Sequence, residues 1–106
     1  MISESAKHQI RRWAESEPLV KSAIAFGSRV KGNYRGNSDL DIAVEIFKPP
    51  GDVDLQTTWT HDGDELQERA NDFVEEYKVH LQLLDGENTP IIYKALAEGA
   101  IVIYEG

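Results

Sequence analysis

Asp39-Leu40-Asp41 is the sequence's most chemically suggestive trio. Two carboxylates two residues apart on a strand project from the same face, near enough to share a cation. At roughly 6 Å and an effective dielectric near 20 two such anions repel by about 3 kcal/mol, and in open water by under about 1 kcal/mol. In a cleft the pair therefore calls for a divalent metal, and on open surface it is an ordinary solvated strand. Upstream, Gly27-Ser28 stands where a short apolar run ends. A strand-to-helix junction there would aim backbone N–H groups and a helix dipole at an anion, with glycine allowing close approach to the main chain. Arg29 and Lys31 follow as cations for a phosphate, or as plain loop charges, the two readings weighing equally.

These residues need a scaffold, and hydrophobic periodicity supplies one. Ala6, Ile10, Trp13 and Ala14 recur at helical spacing, with Ser3 or Ser5 as N-cap and Pro18 beyond the end. Residues 19–26 read as a buried strand stopped by Gly27, and 27–38 as a short helical turn from Ser28 followed by a loop. Leu40, Ile42, Val44 and Ile46 alternate with Asp41, Ala43 and Glu45, the period of a strand covered on one side. Pro49-Pro50-Gly51 closes it.

Asp62 or Asp64 is then expected to cap a helix whose Leu66, Ala70, Phe73, Val74 and Tyr77 form the buried stripe. Val79, Leu81 and Leu83 alternate with His80 and Gln82 in a further strand before Asp85-Gly86. Thr89-Pro90 starts a helix that Gly99 stops, and residues 101–104 read as a final strand. The aromatic residues Trp13, Phe26, Phe73 and Tyr77 fall on predicted apolar faces, so they read as core and not as a base-stacking platform.

Composition narrows the possibilities. At 106 residues the chain is expected to form one domain, 1–106, with a single core. A hydrophobic fraction of 41% against 28% charged residues excludes a disordered or collagen-like chain. With no cysteine there are no disulfides, thiolate zinc sites or thiol chemistry, and a cytoplasmic setting is the default. No apolar run approaches the roughly 18 residues of a membrane span, so no membrane association is expected. Nineteen acidic against eleven basic residues give a net charge of −8, a field that repels nucleic acid.

Two rival motifs fail on their own residues. Gly27 to Gly32 has P-loop glycine spacing, but Asn33-Tyr34 stands where Lys-Ser/Thr is required. His61-Asp62 lacks the further histidines of a metal-dependent phosphohydrolase, since the chain has only three.

Gly27-Ser28, ten intervening residues and Asp39-Leu40-Asp41, with Gly32 and Ser38 between, resemble the minimal nucleotidyltransferases of the DNA polymerase β superfamily. The stretch 27–44, GSRVKGNYRGNSDLDIAV, carries the likeness, which extends loosely over almost the whole chain. The resemblance implies an α+β, layered fold with a small mixed sheet and about four helices. It implies that Gly27, Ser28 and Ser38, with Arg29 and Lys31, serve the nucleoside triphosphate, ATP being the expected one, and that Asp39 and Asp41 hold Mg²⁺. A nucleoside monophosphate would pass to an acceptor hydroxyl. The family commonly adds a third carboxylate on a later strand; here that strand offers His80 and Gln82. His80 could accept a proton or bind a softer ion such as Mn²⁺, or be a polar filler. Minimal members resemble the antitoxin of a pair whose toxin is an all-helical HEPN ribonuclease, which implies AMPylation or sequestration of that partner. A binding module without transfer is the competing expectation.

Overall fold

The computed structural model describes residues 2–27, 39–75 and 77–106. The Ser3 hydroxyl accepts the Ala6 N–H at 3.1 Å and starts helix α1, Glu4–Ser16. Ala6, Ile10, Trp13 and Ala14 are buried on its inner face, as their spacing predicts. The helix stops at Glu17, one residue before Pro18, whose ring disfavours helical backbone in the residue preceding it. Glu17 is itself buried, and its carboxylate receives the Arg69 guanidinium in a two-point ion pair.

Four strands follow: β1 (Val20–Phe26), β2 (Leu40–Ile46), β3 (Val79–Leu83) and β4 (Ala100–Glu105). Their order is β3-β2-β1-β4, with β1 antiparallel to both β2 and β4, and β2 parallel to β3. On one face Ala23, Ala25, Leu40, Ile42, Val44, Val79, Leu81 and Leu83 form the main core with α1 and helix α2, Leu55–Phe73. On the other face Phe26, Ala43 and Leu84 meet Ile92, Ala95 and Leu96 of helix α3, Pro90–Ala97. The sheet thus lies between helices, and β2 is buried on both sides at Ala43, not covered on one side only. The small Ala43 side chain allows a second layer of contacts. Among the described residues this makes three α-helices, a 3₁₀ turn at Gly86–Asn88 and a mixed four-stranded sheet, an α+β arrangement. The helical turn expected from Ser28 lies outside the described residues.

Two sequence expectations for α2 are corrected. It begins at Leu55, well before Asp62 or Asp64, because Asp54 is the cap: its Oδ1 accepts both the N–H and the hydroxyl of Thr57 at 2.8 Å. A second carboxylate, Asp52, accepts the Thr58 hydroxyl at 2.6 Å, and Leu55 and Trp59 pack against the core. At the other end Phe73 is exposed, against the expectation, whereas Val74 is buried as its place in the stripe predicts. The chain leaves helical geometry at Val74, φ −102° and ψ 113°, so the helical stripe cannot be continued through it. Trp13 and Phe26 are buried and Tyr77 packs partly against the core, as expected.

The outer edge of β3 is completed by side chains of α2. Gln67 donates its amide N–H to the Val79 carbonyl and accepts the Leu81 N–H at 2.7 Å. Asn71, one turn along, accepts the Val79 N–H at 2.8 Å and donates to its carbonyl at 3.1 Å. Two carboxamides thus stand in for a neighbouring strand and satisfy backbone groups that would otherwise be unpaired. No described helix is long and apolar enough to cross a membrane.

Candidate active site

The register of three neighbouring strands assembles the site. Asp41 of β2 lies opposite Phe26 of β1 and opposite His80 of β3. Leu40 is fully buried and its N–H donates to the Lys78 carbonyl at 2.8 Å, which sets the start of the parallel pair. Because side chains alternate, Asp41 projects away from the main core that receives Leu40 and Ile42. Asp39, just before the strand, is exposed, and Asp41 is half-buried.

One carboxylate oxygen of Asp41 faces each neighbour. Oδ1 stands 3.6 Å from His80 Nδ1, an ion-pair distance when the imidazole is protonated. On the other side, a Cβ placed on Gly27 would come within 2.6 Å of Oδ2. Gly27 also has φ +84°, in the left-handed region where a side chain is strained. Glycine is thus required both by the turn that ends β1 and by the carboxylate beside it.

Burial raises the pKa of Asp41 above its ordinary value, and Asp39 pushes it further up; His80 pulls the other way by charge and hydrogen bonding. The carboxylate is therefore an anion short of compensation. A divalent cation would supply it, and two carboxylates with a neighbouring imidazole are a chemically suitable donor set. Among the described residues no three acidic or histidine side chains already converge as a metal-binding group. Asp41 and His80 are drawn together, while Asp39 stands outside that pair. Ser28, Arg29, Lys31 and Ser38, the remaining expected nucleotide contacts, lie outside the described residues.

Next to this row, α2 and β3 frame a groove the sequence reading did not anticipate. One section of about 340 Å³ is lined by Asp39, Gln67, Asn71, Lys78, Val79 and His80. Another of about 520 Å³ shares Gln67 and His80 and reaches Trp59, Gly63 and Asp64. The available signal was Gly63, since a glycine inside a helix costs about 1 kcal/mol relative to alanine unless packing requires it. A Cβ on Gly63 would stand 3.2 Å from the Trp59 ring.

The family described as polymerase beta nucleotidyltransferase matches residues 8–105. This chain belongs to that nucleotidyltransferase family. Its fold agrees with the assignment. A chain of a toxin-antitoxin crystallised with AMP-PNP superposes with TM-score 0.64 at 22% identity, covering 94% of this nucleotidyltransferase domain and 73% of the other chain. A chain provisionally assigned as a nucleotidyltransferase, from Sulfolobus solfataricus, gives 0.53 at 22% identity, covering 96% and 78%. At such identity these likenesses speak for the fold alone. No curated protein matches the sequence. The nucleotidyltransferase domain is therefore read from its own site, where Gly27, just past the end of β1, stands beside Asp41 of β2, and Asp41 beside His80 of β3.

Proposed function

We propose that residues 1–106 act as one minimal nucleotidyltransferase unit, moving a nucleoside monophosphate, AMP in the first instance, from a nucleoside triphosphate to an acceptor hydroxyl. The observation that carries this reading is the Asp41 carboxylate, desolvated and set between Gly27 and His80. Family membership supports the reaction class, and the AMP-PNP bound to the similar toxin-antitoxin supports ATP as donor.

Each residue has a physical task. Gly27 keeps the end of β1 bare, so that phosphate can approach the main chain, with Ser28, Ser38, Arg29 and Lys31 as further triphosphate contacts. Asp39 and Asp41 hold the divalent cation, Mg²⁺ or Mn²⁺, which when bound neutralises phosphate charge. His80 takes the position beside Asp41 where relatives commonly carry a third carboxylate, and the groove beyond it leaves room for the acceptor. In the reaction the acceptor oxygen forms a bond to the α-phosphorus, the α–β bridging bond breaks, and pyrophosphate leaves. The acceptor proton passes to a base or to solvent. Positioning and charge neutralisation account for most of the catalysis such a transfer requires.

The acceptor we propose is a partner protein, a HEPN-type helical toxin that this chain would restrain as cytoplasmic antitoxin. The toxin-antitoxin neighbour and the net charge of −8, suited to cover a basic RNA-binding surface, support that assignment. A second reading, neutralisation by binding without transfer, is favoured by His80 and Gln82 on β3 where a carboxylate would be expected.

The deciding experiment incubates the protein with α-labelled ATP, Mg²⁺ or Mn²⁺ and its partner or a lysate, beside Asp39→Asn and Asp41→Asn variants. Label on one protein band only with both aspartates intact supports transfer. Full neutralisation by both variants, without label in any sample, would sink the catalytic reading and leave the binding one.

A further inference from the structure

We infer that His80 ligates, through Nδ1, the cation held by Asp41, making a mixed carboxylate–imidazole site that favours Mn²⁺ over Mg²⁺. This inference rests on the nucleotidyltransferase reading of the same residues.

Geometry carries the argument. Asp41 and His80 are register partners on parallel strands, and Nδ1 and Oδ1 stand 3.6 Å apart. Donors bound to one ion at about 2.0–2.2 Å lie about 3 Å apart when adjacent in its coordination sphere. The gap therefore closes with a side-chain movement of under about 1 Å. The imidazole is free to make it, since the side chain is 57% exposed. Its backbone is not free to drift: Gln67 bonds the Val79 carbonyl and the Leu81 N–H on either side of residue 80. A flexible ring on a fixed strand, one short step from a desolvated carboxylate, has the properties of a ligand that closes on metal entry.

Nδ1 faces the Asp41 carboxylate oxygen, so the ring must leave Nδ1 unprotonated when the cation enters and keep its one proton on Nε2. Imidazole is a good donor to first-row transition ions and a poor one to Mg²⁺. Replacing the usual third carboxylate by histidine therefore moves selectivity toward Mn²⁺.

The test uses the full chain with Mn²⁺ and inorganic tripolyphosphate, a probe that contains no nitrogen. Electron spin-echo spectroscopy of bound Mn²⁺ should show ¹⁴N modulation from a directly bonded imidazole. The modulation should vanish in His80→Gln, whose folding is checked by circular dichroism. In His80→Asp the ratio of Mn²⁺ to Mg²⁺ affinity should fall at least about tenfold, the lower end of what changes around a metal site cost. Mn²⁺ bound through Asp41, and lost in Asp41→Asn, but without nitrogen modulation would overturn the inference while leaving the transferase reading intact. Modulation that persists in His80→Gln would overturn it equally. No Mn²⁺ binding, or binding indifferent to Asp41→Asn, would overturn both.

Discussion

Gly27 and Asp41 are packed so closely that a single methyl group on the glycine would come within 2.6 Å of the carboxylate oxygen. The contact joins the end of β1 to the middle of the site. Gly27→Ala must either displace Asp41 or shift the turn, and at φ +84° the backbone itself resists the change. We expect a loss of about 1–3 kcal/mol in stability and loss of Mn²⁺ binding. Urea denaturation and metal titration of the same sample check both.

Asp41 should also leave a mark on stability against pH. Its pKa in the folded chain is raised above the ordinary carboxylate value by burial and by Asp39. The folded state therefore binds the proton more tightly, so this group's contribution favours folding below the unfolded pKa and is lost as pH rises through the folded one. At neutral pH without metal, Asp41→Asn should raise the Tm, and the gain should disappear at pH values below the ordinary carboxylate range. A variant that melts lower than the native chain at neutral pH would contradict this account.

Gln67 and Asn71 close the β3 edge beside His80. Replacing either by alanine leaves backbone groups of Val79 or Leu81 without their partners. A cost of about 1–3 kcal/mol per site is expected, with faster hydrogen exchange at the Val79 amide in Asn71→Ala and at the Leu81 amide in Gln67→Ala. Exchange that stays slow in both variants would show that the carboxamides are incidental.

Asp54 rather than Asp62 or Asp64 starts α2. The Thr57 backbone N–H and hydroxyl hold the Asp54 pKa below its ordinary value. Its contribution is present above the unfolded pKa and is lost as pH falls through the folded one. Asp54→Ala should therefore lower the Tm at neutral pH and narrow its difference from the native chain in acid, whereas Asp64→Ala should do neither.

Local rules read much of the chain correctly, and their failures share a cause. Ser3, the Asp-x-Asp strand, the β3 alternation and Thr89-Pro90 are signals contained within a few residues, so the elements appear where those signals predict. The start of α2 escapes a local reading because Leu55–Trp59 looks like a polar loop until Asp54, Asp52 and the core hold it. Phe73 has the spacing from Leu66 and Ala70 that marks the buried face, but it is the last residue of α2 and stays exposed while Val74, the next residue, turns inward. Gln67 and Asn71 carry no motif, since a carboxamide becomes an edge cap only when a strand lies against it.

The family and the carboxylate pair were thus determined by the chain's own letters: glycine and serine at one spacing, two aspartates at another, on a strand whose alternation is unmistakable. That His80 stands against Asp41 could be decided only in three dimensions. Thirty-eight residues separate the two positions, and α2 lies between them in sequence. Hydrophobic alternation specifies which face each side chain takes, but it cannot say which residue of one parallel strand lies beside which residue of another. That register is set by the packing of α2 against β3 and by the bond from Leu40 to Lys78 that begins the pair.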